Sequence, residues 1–127
     1  MKLFLVLFFF LPSGAVAYDS QRAQANLASD YATCAAYYMV STEIFRNNSK
    51  DASKFEAAAK NALDMAVRLS NRKVTSARVD MVTQMMMGEM KNDWSNWAIV
   101  VKEYGFPCKK ITDNPVQRLQ YWLDKED

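Results

Sequence analysis

Apolar side chains recur in steps of three and four along almost the whole chain, and no segment alternates in twos for long enough to mark a strand. From Ser20 to Arg46 the residues Ala23, Leu27, Tyr31, Cys34, Tyr38 and Phe45 form one stripe, with Ser41 or Thr42 filling its gap. This predicts a first helix of about seven turns. A neighbouring row, Ala28, Ala32 and Ala36, presents only methyl groups, so another helix can approach it closely. Asn47-Asn48-Ser49 predicts a polar turn. Asp51 or Ser53 then offers a cap for a second helix, with Ser53 and Glu56 spaced as a capping box. Phe55, Ala59, Ala62, Leu63, Ala66 and Leu69 supply its buried stripe, and the pattern ends near Asn71.

A third pattern runs Val79, Val82, Met86, Met90, Trp94, Trp97, Val101 and Tyr104. Gly105 tolerates positive φ and Pro107 follows it, so the helix is expected to stop there. Thr112-Asp113-Asn114-Pro115 opens a short last helix, a polar cap followed by proline at the first helical position, with Val116, Leu119, Trp122 and Leu123 on one side. The expected fold is all-α, an up-down bundle of four helices.

The N-terminus changes what this bundle is for. Lys2 precedes the apolar run Leu3 to Leu11, followed by Pro12-Ser13-Gly14 and the small-x-small site Ala15-Val16-Ala17. Residues 1–17 therefore read as a secretory signal peptide, and 18–127 as a single helical domain. The apolar run is about half the ~20 residues that a membrane-crossing helix needs, so no stable membrane anchor is expected after cleavage. The expected location is the periplasm or the exterior of the cell.

Export bears on the two cysteines. In an oxidising compartment Cys34 and Cys108 have a single possible pairing, and their wide separation argues for a structural bridge rather than a redox pair. The bridge closes a loop of about 75 residues, for which the chain-entropy model gives about 4 kcal/mol. It also constrains the third helix. A straight helix from Ser76 to Tyr104 is about 43 Å long and delivers Cys108 about 20 Å above Cys34. The third helix is therefore predicted to be bent or split between Gly88 and Asp93, where Asn92 or Asp93 could cap a new helix; a returning loop or an oblique crossing would also satisfy the bridge.

Composition removes several chemistries. The chain has no histidine, which excludes Ser-His and Cys-His nucleophilic systems and the usual zinc sites. A formal charge of +2, with no basic run longer than two residues, gives no basis for nucleic-acid binding. Three glycines are too few and too scattered for a phosphate-binding loop or a dinucleotide fingerprint.

Three features remain. The methionines Met81, Met85, Met86, Met87 and Met90 could offer thioethers to Cu(I), but Met86 and Met90 lie on the core stripe, leaving Met81, Met85 and Met87 as candidates for a hydrophobic partner surface. The aromatics Trp94, Trp97, Tyr104, Phe106, Tyr121 and Trp122 suit either ligand binding or a second small core in which the last helix packs on the third; Arg118 stands four residues before Trp122, in reach of stacking on its indole. Among the carboxylates Asp64, Asp80, Glu89, Asp93 and Glu103 no pair is singled out for acid-base work. The expectation is an exported helical protein that binds an envelope protein partner without catalysis and without a cofactor or metal. Met81, Met85, Met87, Trp94, Trp97, Arg118 and Trp122 are its candidate partner surface. The alternatives are an envelope hydrolase acting on peptidoglycan or lipid through carboxylates, and a copper or acyl-chain carrier.

Overall fold

The first helix, α1 (Gly14–Asn47), is buried on every side through its middle, and the rest of the chain wraps it for that reason. The computed structural model describes residues 14–125, with side chains from residue 19. The predicted signal segment lies outside the described residues except for Gly14–Ala17, whose backbone opens α1. Between Leu27 and Ile44 the predicted stripe is buried, and so are Ala28, Ala32, Ala35, Ala36, Tyr37 and Val40. A helix with so few polar positions in its middle has no face to give to water and must be covered all round.

The helix α2 (Ser53–Leu69) folds back along α1. Phe55 stacks on Phe45 at 4.8 Å between ring centroids and meets Tyr38 at 6.5 Å, while Arg46 pairs with Glu56. The predicted capping box does not form, because the helix begins at Ser53 itself with Ala52 in the cap position. Asp51 accepts instead from the Ser53 N–H at 2.9 Å. Ala59, Ala62 and Ala66 of α2 share one buried cluster with Ala32, Ala35 and Ala36 of α1, so no long side chain holds the two backbones apart.

The third helix, α3 (Arg72–Glu89), is capped by Asn71, whose Oδ1 accepts from the Val74 N–H at 2.9 Å. Its stripe of Val79, Val82 and Met86 is buried, and Met90 is buried just beyond its end. There the chain turns: Lys91 and Asn92 adopt φ of 55° and 54°, and Asp93 accepts from the Ser95 N–H at 2.9 Å to open a new segment. The predicted split therefore lies within the predicted window, and it is a reversal of direction.

Beyond the reversal a 3₁₀ turn (Trp94–Asn96), α4 (Trp97–Val100), a π-helical turn (Val101–Gly105) and α5 (Phe106–Asp113) follow one another, and α6 (Pro115–Asp124) comes after a bend at Asn114. This segment descends α1. Trp97 bonds to Ser41, Gly105 lies against Tyr37, Cys108 is bridged to Cys34 with 5.4 Å between Cα atoms, and Arg118 and Trp122 reach Asp30. The reversal brings Cys108 down to Cys34 and removes the height conflict.

The expected stop at Gly105 and Pro107 does not occur. Gly105 keeps a helical φ of −61°, and Pro107 sits in the first turn of α5. Proline lacks the N–H that would bond one turn back, and its ring crowds that carbonyl; widening the preceding turn to π geometry relieves both. The result is five helices of eight residues or more instead of a four-helix bundle, with no strand among the described residues.

Candidate functional site

The residues of the candidate partner surface fall into separate places. Met81 and Met85 are more than half exposed on α3, and Trp94 is 40% exposed beyond the reversal. Met87 is half-buried against the core. Trp97 is half-buried as well: its Nε1 donates to Ser41 Oγ at 3.2 Å, and its ring meets Phe45 and Phe55 edge-on. Its indole serves the core.

Arg118 and Trp122 come together on Asp30. Arg118 Nε donates to Asp30 Oδ2 at 2.7 Å and Nη2 to Oδ1 at 3.2 Å, while Trp122 Nε1 donates to Oδ2 at 2.6 Å. The Arg118 guanidinium lies over the Trp122 ring at 4.8 Å, the stacking that their spacing allowed, and over Tyr121 at 4.4 Å. The last helix is thereby fastened to α1, not to the third helix as expected, since the third helix leaves in the opposite direction after Glu89.

Fastening α6 at this angle opens a cleft of about 380 Å³ between α5 and α6. Phe106, Pro107, Lys110 and Ile111 line it from α5, with Gln117, Arg118 and Tyr121 from α6 and Asn114 at the bend. Ile111 is buried, whereas Phe106 is 69% and Tyr121 46% exposed, so two aromatic rings stand open to solvent at its rim. Lys110 Nζ lies over the Phe106 ring at 5.6 Å. Phe106 and Tyr121 belong to the aromatic set legible in the sequence, but their i to i+15 spacing across a bend has no periodic signature. Lys110 carried no signal at all. A second cleft, between α1, α2 and α3, is lined by Met39, Leu63, Val67 and Val79 with Asp64, Asp80, Arg68 and Arg72.

The structure also brings two carboxylates together. Glu89, at the end of α3, accepts from Tyr104 Oη at 3.0 Å, and Glu103 of the π-helical turn lies beside it. Glu89 Oε2 is buried and has no donor among the described residues. A hydrogen bond to Glu89 pushes the Glu103 carboxyl above its ordinary range, with burial and the Glu89 charge adding to it. Burial, then the bond to Glu89, raises the Tyr104 phenol. The Glu89 carboxyl thus favours the protonated form of Glu103. Only the chain reversal makes this pair, which is why a separation of 14 positions in the sequence gave no hint.

Among the described residues no group of three or more histidine, cysteine or carboxylate side chains could hold a metal ion, and no helix is long and apolar enough to cross a membrane. Compared with known proteins, the chain matches no family model, no curated protein and no solved structure.

Proposed function

We propose that this is an exported helical protein that acts by binding an envelope partner, and that the cleft between α5 and α6 is where it binds. The open aromatic rim of that cleft carries the reading: Phe106 and Tyr121 expose flat apolar faces beside Lys110 and Arg118, over a floor held rigid by the Cys34–Cys108 bridge and the Asp30 contacts. Large, preorganised aromatic faces grip a ligand at low entropic cost. Export is supported by the leader-like residues 1–17 and by the disulfide, a bond that persists outside the reducing cytosol.

A glycan hydrolase is less well supported. It needs two carboxyls facing one cleft, whereas Glu89 and Glu103, the acids that the fold brings together, line neither cleft described above. Acyl-chain carriage through Met81 and Met85 needs those side chains inside a cavity, and both face solvent.

The test places a photo-crosslinking amino acid at Phe106, at Tyr121 and, as a control, at exposed Lys60 of α2 in living cells. One discrete adduct from the first two positions and none from Lys60 is expected, together with a processed chain whose N-terminal residue is Tyr18. Equal labelling from all three sites, or an unprocessed N-terminus, would sink the reading.

A further inference from the structure

The two clefts differ in charge, and the difference names a ligand class. The cleft between α1, α2 and α3 balances Asp64 and Asp80 against Arg68 and Arg72. The cleft between α5 and α6 carries Lys110 and Arg118 and no carboxylate. The charge on Arg118 is already met by Asp30, but no carboxylate among the described residues pairs with Lys110, whose ammonium stands at the mouth over the Phe106 ring. The site thus has Lys110 beside an apolar trough made by Phe106, Ile111 and Tyr121, and Lys125, likewise without a carboxylate partner among the described residues, over the Tyr121 ring at 5.5 Å. At about 380 Å³ the trough takes a few side chains of a short segment and not a folded surface.

We infer that the cleft between α5 and α6 binds a short acidic segment of a partner protein, with an apolar or aromatic side chain seated between Phe106 and Tyr121 and an adjacent carboxylate on Lys110. The inference rests on the binding reading above and narrows it to a partner chemistry. Charge complementarity favours a peptide over an anionic bilayer. A bilayer is met by a broad field of unpaired cations, whereas here Lys109 is held by Asp113 at 2.5 Å and Arg118 by Asp30, which leaves Lys110 and Lys125 beside the trough. Two ammonium groups at the rim suit the one or two carboxylates of a short acidic segment.

The experiment titrates the disulfide-bonded protein with a fluorescein-labelled nonapeptide of alternating glutamate and leucine around a central phenylalanine. Comparison probes are the same peptide with lysine for glutamate, one with serine for each apolar residue, and phosphatidylglycerol vesicles. The acidic apolar peptide is expected to bind saturably, about tenfold tighter than either altered peptide, and to weaken as salt is raised. Phe106→Ala should weaken it about tenfold and Lys110→Gln about threefold. Both side chains are exposed, and an unchanged melting temperature checks that each variant is folded. Equal affinity for the lysine peptide, binding to vesicles alone, or indifference to both substitutions would overturn the inference. If no peptide binds while the crosslinker at Phe106 still yields its adduct, the acidic-segment inference fails and the binding reading stands; if neither is seen, both fail.

Discussion

Gly105 shows how one residue can be required for a reason that its sequence context conceals. Its place before Pro107 suggests a left-handed cap, yet its φ is helical, and what demands glycine is the Tyr37 hydroxyl, 3.1 Å from where a β-carbon would stand. Gly105→Ala is expected to lower stability by about 1 kcal/mol through this crowding. In a Tyr37→Phe background, where the obstructing oxygen is gone, the same change should raise stability by about 0.5 kcal/mol through helix propensity. Thermal melts of the four proteins check the sign reversal, and equal effects in both backgrounds would remove the explanation. Asp30 is the counterpart on the polar side. It receives three hydrogen bonds from Arg118 and Trp122 with its own side chain only 15% exposed, so Asp30→Ala should cost about 2 kcal/mol and shift Trp122 fluorescence toward that of a solvated indole. Neither contact is visible in the sequence, because each joins residues more than 65 positions apart.

At the scale of elements the periodic stripes located α1, α2 and α3 well; α6 forms where expected, but Val116 and Leu123 of its expected apolar side are exposed; Asn71 and Asn114 cap α3 and α6 with side-chain oxygens. What periodicity could not convey was direction. Val79 through Tyr104 reads as one unbroken row, and only the bridge geometry required a break near Asn92. Nor could it show that Pro107 would be absorbed by a wider turn. These two features together make the acid pair, since the reversal and the π-helical turn bring Glu103 to Glu89. The folded-state pKa of Glu103 is raised, so its ionisation opposes folding. As pH falls from neutrality toward about 4.5, the protonated Glu103 becomes a donor beside the Glu89 carboxyl, whose Oε2 has none, and stability should increase. Asp51 and Asp93 act in the opposite sense. Ser53 lowers Asp51 through its backbone N–H and then its side chain, and Ser95 lowers Asp93 through its hydroxyl and then its N–H, so their contribution is present above about pH 3.8 and fades below it. The melting temperature should therefore rise on mild acidification and fall on strong acidification. Glu103→Gln should raise it at neutral pH and flatten the rising branch; an unchanged profile would show that Glu103 does not govern that branch.

For the molecule as a whole, the sequence conveyed the all-helical class and the covalent pairing, because both depend on residue type and spacing. The cleft was not legible, since it is created by the angle between α5 and α6, which is set by Asp30 on a distant helix. The bridge and Asp30 are the two fastenings of that C-terminal arm to α1. Replacing both Cys34 and Cys108 by serine should lower unfolding stability by about 3 kcal/mol, read as a lower urea midpoint with a steeper slope, because the unbridged unfolded chain exposes more surface. An unmoved midpoint would mean that the bridge adds nothing to the native fold. The central position of α1 also governs the order of events during synthesis. A ribosome releases residues 27–44 early, while Trp97, Cys108 and Trp122, which shield them, have yet to be made. Until then α2 and α3 can already cover part of α1, while the face shielded by Trp97, Cys108 and Trp122 stays open, so the packing of α1 is completed in two stages.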